Sequence, residues 1–347
     1  MFPITRLQLK LRLLDDDAPT GYWGSRLRGG YGRVLKDHLC DHQDLTDCRT
    51  CPRFGECDYP RLFEPVRTAE ESRKADAPLK NQTSLPRPFV IDLPRHFSAE
   101  QLQSKRLHFG VTLMGELSQR IEYPVTAFSI FGQMGIEAGA GRRARFLVED
   151  VRDSLNGGRS IFSDPATGSA MFQGAVVKDV VDAIREARQT TAANEPGNEA
   201  ANETANKPDR GTGEPGDEFE VRFVTPVRIE NGQLRDFYDL IYQLSNRIGG
   251  LWQMYGKDWP GQSEFYRWRN NLVGAARGVK TTECNLRDFT TARYSHRQGK
   301  KLPMYGFVGA MRFSGNLTPF EELLRIGEIV HLGQQTGFGF GRIQLLH

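Results

Sequence analysis

The sequence predicts an α+β fold in two tandem domains with antiparallel sheets. The chain has 347 residues, which is the length of about two domains. Each half mixes runs that alternate polar and apolar residues with stretches whose apolar residues recur at helical spacing. A low-complexity segment, residues 190–217, separates the halves. We therefore expect one domain at residues 1–189 and another at residues 218–347.

The first half begins with a strand and continues with a helix. Residues 5–13 alternate polar and apolar side chains, as a half-buried strand does. After a turn, Ser25 is placed to cap a helix whose apolar residues are Leu27, Tyr31, Val34, Leu35 and Leu39. Strand, helix and strand patterns then follow at residues 106–115, 123–133 and 142–151. A last helical face carries Val176, Val177, Val180, Val181 and Ile184.

Residues 190–217 have the composition of a disordered linker. An asparagine followed by a charged residue recurs every four positions from Asn194 to Lys207, with almost no apolar side chains between. Burial of apolar surface cannot offset chain entropy there, so we expect disorder. The linker is acidic while the whole chain has a net charge of +3, so the remainder is more basic than the total suggests. That excess suits a basic patch.

The second half repeats the mixture of strands and helices. A strand pattern at residues 219–224 precedes a helical stripe formed by Phe237, Leu240, Ile241, Leu244 and Ile248. Residues 305–313 are again strand-like. Residues 318–321 have the spacing of a capping box, with Pro319 at the first helical position. A glycine-rich segment, residues 333–342, follows this helix and leads into a last short strand.

The composition indicates a soluble protein of the cytoplasm. Hydrophobic residues make up 38% of the chain and charged residues 26%, close to the average of soluble globular proteins. No run of ~18 apolar residues could cross a membrane. The first residues lack the apolar core and the small-residue cleavage site of a signal peptide. We expect no contact with membranes.

Four of the five cysteines are clustered, which indicates a metal-binding insertion at residues 40–64. They are spaced C-x7-C-x2-C-x5-C and are Cys40, Cys48, Cys51 and Cys57. Four thiolates with no open coordination position fit a structural zinc ion. Spacing alone does not exclude an iron–sulfur cluster, which uses the same ligands, or reduced cysteines without a metal. The odd count in a cytoplasmic chain argues against a disulfide framework.

Two further motifs predict contacts with phosphate groups. Residues 293–301 combine several basic side chains with Tyr294, and guanidinium groups beside an aromatic ring suit phosphate contacts and base stacking. The glycine-rich segment lets backbone N–H groups approach phosphates closely. It lacks the strand, helix and acidic residue that define a dinucleotide-binding fingerprint. A solvated charged face and a glycine turn shaped for packing are the structural alternatives.

Several motifs in both halves together resemble those of one known family. They are Gly24-Ser25-x-Leu27-Arg28-Gly29, the cysteine run with Tyr59-Pro60-x-Leu62-Phe63-Glu64-Pro65, Phe109-Gly110-x-Thr112-Leu113-x-Gly115, Arg293-Tyr294-Ser295-x-Arg297-Gln298, Gly306-Phe307-Val308-Gly309 and the final Gly-Phe-Gly-x-Gly-Arg. The chain resembles the CRISPR-associated endoribonucleases of the RAMP superfamily that process precursor CRISPR RNA. The cysteine run is typical of a subset of that family. Gln334 stands where the family pattern has a lysine.

The resemblance implies two ferredoxin-like, RRM-like domains that bind CRISPR repeat RNA and cut the precursor once per repeat. It implies metal-independent cleavage, in which the ribose 2′-OH attacks the adjacent phosphate and leaves 2′,3′-cyclic phosphate and 5′-OH ends. The RNA contacts it implies are Arg28, Arg293, Tyr294, Ser295, Arg297, Gln298, Lys300, Gly333, Gly337, Phe338, Gly339, Gly341 and Arg342. Subunits of a CRISPR effector complex would be further partners.

A histidine is expected to be the general base, because its pKa lies near neutral pH. The family often carries this base on or near the first helix, where His38 stands with Lys36 close by. Tyr31 lies seven residues earlier on the same helical face, which predicts a Tyr–His pair. His331, just before the glycine-rich segment, is the second candidate; a solvated or helix-end histidine is the simpler interpretation of each. Without a working base, the same motifs would describe a non-catalytic RNA-binding subunit of an effector complex.

Overall fold

A computed structural model of the chain describes residues 1–45, 47–66, 85–139, 141–163, 173–193, 218–229, 233–295 and 299–347. The predicted linker falls mostly between these ranges, so its expected disorder lies outside the described residues. The described strands form two larger antiparallel sheets and one small hairpin. We call residues 1–193 the first unit and residues 218–347 the second unit. No helix in the described ranges is long and apolar enough to cross a membrane.

The first unit is built on a sheet with the strand order β2-β3-β1-β6-β7, with β8 paired to the start of β1. Its elements are β1 Pro3–Leu13, α1 Gly24–Leu39, α2 Asp58–Phe63, β2 Phe89–Asp92, α3 Ala99–Gln103, β3 Arg106–Met114, α4 Glu122–Met134, β4 Ile136–Gly139, β5 Arg142–Ala144, β6 Phe146–Asp153, β7 Arg159–Ser163, β8 Lys178–Asp179 and α5 Val180–Ala193. Strands β4 and β5 form the separate hairpin. The succession β1-α1-β2-β3-α4-β6 with this order is the ferredoxin-like topology, as predicted.

The second unit repeats the same topology with the strand order β10-β11-β9-β12. Its elements are β9 Glu218–Val227, α6 Phe237–Tyr255, α7 Gln262–Ala275, β10 Lys280–Ser295, β11 Lys300–Ser314, α8 Glu321–Val330 and β12 Ile343–Leu346. All of its strand pairs are antiparallel. The predicted α+β class with two tandem ferredoxin-like folds is therefore confirmed.

The two faces of the first sheet contribute to two different cores. Along β1, Leu7, Leu9, Leu11 and Leu13 point into the core under α1 and α4, whereas Phe2 and Ile4 belong to the core of the second unit. Successive side chains of a strand point to opposite faces, which explains the same division at Phe89 and Val90 in β2. In return, Met304, Phe338 and Phe340 of the second unit are buried in the first core. The units therefore share their packing.

Two helix starts differ from the sequence predictions. Helix α1 begins at Gly24 with Trp23 as its N-cap, so Ser25 lies inside the first turn and caps nothing. Helix α8 begins at Glu321 after a turn, and no side chain caps it. The expected capping box at residues 318–321 does not form, because Glu321 instead pairs with Arg188 of α5 at 2.8 Å.

Helix α5 also has different bounds from those predicted. Val176 and Val177 precede it, because the chain pairs with β1 at residues 178–179 before the helix begins. At its other end, α5 continues to Ala193, four residues into the segment predicted as linker. The predicted domain boundaries otherwise stay a prediction.

Candidate functional site

The glycine-rich segment lies between the two units. It connects α8 to β12 and contains a short 3₁₀ turn, Thr336–Phe338. The Tyr22 hydroxyl donates a hydrogen bond to the Phe338 carbonyl at 2.9 Å. Gly24 at the start of α1 is so close that an added Cβ would lie 1.9 Å from the same carbonyl oxygen. Only glycine at position 24 permits this approach of the helix to the segment.

Backbone N–H groups of the segment are used within the protein. Gly339 donates to the Thr336 carbonyl at 2.9 Å, and Gly341 donates to the Pro226 carbonyl at 2.8 Å. Both glycines have positive φ angles, 81° and 82°, which other residues adopt at a cost. An added Cβ at Gly341 would lie 2.0 Å from the Leu332 carbonyl oxygen. At these two positions glycine serves tight packing, and the N–H groups do not face a phosphate.

Two arginines lie against the ring of Phe338, and a third lies close to the neighbouring Gly337. The guanidinium carbon of Arg28 lies 4.4 Å from the ring centroid and that of Arg293 lies 5.2 Å away. Arg87 is close to the same turn and donates from Nε to the Phe63 carbonyl at 2.8 Å. Arg28 comes from α1, Arg87 from the approach to β2, and Arg293 from β10. We call Arg28, Arg87 and Arg293 the arginine cluster.

The arginine cluster is short of negative charge. None of the three guanidinium groups forms an ion pair with a carboxylate of the described residues, although the charge of Glu64 acts on Arg28 and Arg87. Burial, together with the charges of Arg87 and Arg293, lowers the pKa of Arg28 to about 9, while Tyr59 and Glu64 oppose the shift. Burial also lowers the pKa of Arg87 and of Arg293. Desolvated cations that lack an ion-paired carboxylate are costly, so the cluster favours binding of an anion.

A fourth arginine fixes the start of the segment. Arg247 of α6 is buried and donates from Nη2 to the Thr336 hydroxyl at 2.9 Å and to the Val330 carbonyl at 3.2 Å. Burial lowers its pKa to about 10, and the charge of Arg87 acts in the same direction. Arg87 and Arg247 belong to no recognisable sequence motif. Sequence analysis therefore missed them, because their contacts are with residues far away in the chain.

Arg342 contacts a carboxylate of the first unit. Its Nε lies 3.2 Å from Oδ1 of Asp92, and Arg6 contacts the other oxygen at 3.2 Å. Burial would raise the pKa of Asp92, but His331, Arg342 and Arg6 together lower it. The predicted RNA contact Arg342 therefore has a structural partner at the interface between the units.

His331 is completely buried in the same interface. Its Nδ1 donates to the Phe340 carbonyl at 2.8 Å, which leaves Nε2 without a proton and 4.0 Å from Oδ1 of Asp92. Burial lowers its pKa to about 4, although Asp92 opposes the shift. His331 is thus neutral near pH 7 and shielded from solvent.

The structure does not bring Tyr31 and His38 together. Tyr31 is buried among aromatic rings, with centroids 5.0 Å from Phe63 and 5.2 Å from Phe128, whereas His38 is exposed. Burial raises the pKa of Tyr31. Seven helical residues advance about 10 Å along the axis, which carries His38 past the edge of the core. The expected Tyr–His pair is therefore wrong. Lys36 donates from Nζ to the Leu45 carbonyl at 3.3 Å.

The predicted RNA contacts around Arg293 are divided between two faces of a hairpin. Arg293 lies against Phe338, while the next residue, Tyr294, is 51% exposed. Lys300 is exposed on β11 and pairs in register with Ser295. Arg297 and Gln298 lie outside the described residues. Of the glycines, Gly333 has a positive φ of 75° beside the Arg228 carbonyl, and Gly337 packs near Phe89.

The four clustered cysteines line one pocket. His42 and Tyr59 also line it. All four thiols are half-buried, and none is in a disulfide. The Cys51 N–H donates to the Cys48 carbonyl at 3.1 Å, which closes the C-x2-C turn. Within the described ranges, no three side chains of His, Cys, Asp or Glu are grouped closely enough to hold a metal ion.

Comparison with known proteins gives matches for both units. Residues 2–173 match a family described as an N-terminal domain, and residues 221–343 match the family "CRISPR-associated endoribonuclease Cas6". No curated protein matches. The product complex of a Cas6 from Thermus thermophilus is 15% identical, with 99% of each chain covered and a TM-score of 0.50.

A partial Cas6-RT-Cas1–Cas2 complex is also similar in structure. It is 12% identical, with all of this chain and 46% of that chain covered and a TM-score of 0.51. At such identities the likeness shows a shared fold, and the motifs and the contacts described above carry the argument about the site.

Proposed function

We propose that this chain binds CRISPR repeat RNA and cleaves precursor CRISPR RNA within each repeat, since residues 221–343 match the family "CRISPR-associated endoribonuclease Cas6". The arginine cluster carries the proposal. Arg28 and Arg293 lie against Phe338, burial lowers the pKa of all three arginines, and none of them forms an ion pair with a carboxylate among the described residues. A phosphate of RNA supplies the missing charge, and guanidinium groups bind phosphates through paired N–H donors.

The cleavage we propose is a transesterification that uses no metal ion. The 2′-oxygen of a ribose forms a bond to the adjacent phosphorus, and the bond from phosphorus to the 5′-oxygen of the next nucleotide breaks. A base accepts the proton of the 2′-OH, and an acid gives a proton to the leaving oxygen. The products are a 2′,3′-cyclic phosphate and a 5′-OH end. Cations near the phosphorane stabilise its added charge.

His38 is the base we propose. It is exposed at the end of α1, the helix that also carries Arg28. Ten helical residues separate them, which is about 15 Å along the axis. The arginine cluster would therefore hold a different phosphate from the one that is cut. Lys36 lies near the same helix end as an additional cation. His331 would act as a base only if the interface between the units opened.

The test is cleavage of a labelled repeat RNA in EDTA, with a 2′-deoxy substitution at the cut position as the substrate control. A single cut that the 2′-deoxy substitution abolishes supports the proposed chemistry. His38→Ala is expected to lower the cleavage rate by about 100-fold or more, since general bases contribute that much. His96→Ala is the matched control, because His96 is exposed and lies outside α1 and the cysteine pocket. Tight binding without a cut supports the non-catalytic alternative.

We also propose that the four clustered cysteines bind a structural zinc ion. Four half-buried thiols line one pocket and would have to draw closer together around the ion, and an iron–sulfur cluster would use the same ligands. One equivalent of zinc in the purified, reduced protein is expected, and Cys48→Ser should remove it. Cys284→Ser is the control, since Cys284 is exposed on β10 far along the chain. Metal content near zero, or colour from iron, contradicts zinc.

A further inference from the structure

Strands β10 and β11 extend beyond the second sheet as a two-stranded arm. Strand β9 pairs with β11 only between Phe307 and Ser314. Strands β10 and β11 remain paired with each other out to Ser295 and Lys300. We call residues 288–295 and 300–306 the arm. Because β10 has only β11 as a neighbour in the described sheet, one edge of the arm is open.

The inner face of the arm packs on the first unit. Met304 is 1% exposed in the first core, and the Phe289 ring lies 6.3 Å from that of Tyr22. Arg293 is on the same face, since it belongs to the arginine cluster and lies two pairs further along. These contacts hold the arm against the first unit.

The outer face of the arm exposes two tyrosines. Tyr294 is 51% exposed and Tyr305 is 52% exposed, which is more than any other large hydrophobic side chain in the described ranges. Tyr294 pairs in register with Lys301, and Thr290 pairs with Tyr305. The pair between them is Ala292 and Pro303, so no large side chain separates the two rings.

The spacing of the two rings suits several stacked bases. Four strand residues span about 13 Å, which separates the Tyr294 pair from the Tyr305 pair. Stacked nucleotides advance about 3.4 Å each along a strand, so roughly three fit between the rings. Aromatic side chains bind unpaired bases by stacking without needing a particular sequence.

The charge of this part of the chain favours RNA over a protein partner. No acidic residue occurs between Asp288 and Glu321, whereas Arg293, Lys300 and Lys301 all lie on the arm. A strand of this charge attracts a polyanion and opposes contact with another basic surface. Tyrosine beside lysine also matches the composition of surfaces that bind single strands.

We propose that the outer face of the arm, formed by Tyr294, Tyr305 and Lys301, is a second RNA contact that stacks unpaired nucleotides next to the segment held by the arginine cluster. The proposal rests on the proposed function for the identity of the RNA. Arg293 and Tyr294 are neighbours on opposite faces, so an RNA strand that passes around the open edge of β10 reaches both. The arm then lies between two segments of one RNA.

The test compares the affinities of two RNAs, a repeat RNA and the same repeat with a single-stranded oligouridylate extension at either end. Tyr305→Ala is expected to weaken binding of one extended RNA by about tenfold and to change binding of the unextended repeat little, whereas Tyr294→Ala is expected to weaken binding of that extended RNA by about tenfold. Tyr305→Trp should bind the extended RNA with nearly the affinity of the wild type. Tyr266→Ala is the matched control, because Tyr266 is similarly exposed, 42%, on α7.

The salt dependence of binding separates stacking from charge. Lys301→Ala should lower the slope of log affinity against log salt by about one for the extended RNA. Equal losses for the extended and unextended RNAs, or none, overturn the proposal. Oligouridylate alone is a further probe that needs no cleavage. If the chain proved not to cut repeat RNA while oligouridylate binding still depended on Tyr305, the proposed function would fail and this inference would stand.

Discussion

At the scale of single residues, the site is defined by charges that the fold leaves unbalanced. Arg28 lies between the rings of Phe63 and Phe338, at 5.4 Å and 4.4 Å from their centroids. Its Nε has no partner among the described atoms. Contacts with aromatic faces contribute about 1–2 kcal/mol to a desolvated cation, less than the cost of burying it. Arg28 therefore lowers the stability of the folded protein, and its charge is available to bind an anion.

The first prediction at this scale concerns Arg28→Met. Methionine keeps an apolar stem against Phe63 and Phe338 but removes the charge, so the free energy of unfolding should stay equal or rise by about 1 kcal/mol without RNA. RNA affinity should fall by about tenfold or more. Denaturant unfolding and RNA titration measure the two effects. Arg26→Met, which loses only a bond to the Thr20 carbonyl, is the control. A loss of stability with unchanged affinity contradicts the role given to Arg28.

The second prediction concerns the pH dependence set by His331. Its folded pKa of about 4 lies below the ordinary 6.5, so the unfolded chain binds a proton that the folded chain refuses. Above pH 6.5 the histidine is neutral in both states, so its lowered pKa does not change the free energy of unfolding. As the pH falls from 6.5 to 4, the free energy of unfolding decreases by up to ~3 kcal/mol. His331→Gln should reduce the difference in unfolding free energy between pH 7 and pH 4.5. An unchanged difference contradicts a buried neutral His331.

Sequence motifs identify part of this site. Arg28, Arg293 and Phe338 belong to recognisable patterns and do meet in space. Arg87 and Arg247 belong to none, because their positions depend on contacts with segments many residues away. The predicted pair of Tyr31 and His38 is wrong for a different reason. Helical spacing correctly places both residues on one face of α1, but it does not show where along the helix the hydrophobic core ends.

At the scale of elements, the close approach of α1 to the glycine-rich segment sets the geometry of the candidate site. The predicted strand β1 and helix α6 were readable from periodicity, because each buries one regular face. The starts of α1 and α8 were not, because contacts with other elements determine where these helices begin. The effect of a substitution at a helix start on the free energy of unfolding therefore depends on which other elements pack against that start.

The prediction at this scale compares two glycines of α1. Gly24→Ala would place a Cβ 1.9 Å from the Phe338 carbonyl oxygen, so it should destabilise the protein by several kcal/mol or displace the segment and weaken RNA binding. Gly29→Ala meets nothing within 4 Å on the same helix and should stabilise the protein by about 0.5–1 kcal/mol. Thermal unfolding measures both. Equal effects would show that the close approach is not maintained in solution.

At the scale of the whole molecule, the two units share their hydrophobic cores. Phe2 and Ile4 of the first unit are buried in the second core, and Met304, Phe338 and Phe340 are buried in the first. Neither core is complete without residues from the other unit. Two similar topologies could be predicted from the sequence, but this exchange of side chains could not, because it alters no pattern within either half.

The corresponding prediction is a single cooperative unfolding transition. Met304→Ala should lower the free energy of unfolding by about 2–5 kcal/mol, since Met304 is 1% exposed. Because both cores share residues, far-ultraviolet and near-ultraviolet circular dichroism should give one common midpoint in wild type and variant. Separate midpoints for the two signals would show that the units unfold independently.

The placement of Met304, Phe338 and Phe340 also has a consequence for synthesis. A ribosome makes these residues after every other fully buried residue of the first core. The nascent first unit therefore leaves the ribosome with a gap where the three side chains will lie. A chain that terminates early keeps that gap, lacks the ring against which Arg28 and Arg293 pack, and is readily degraded by proteases. RNA binding through the arginine cluster, as proposed, would therefore require the complete second unit.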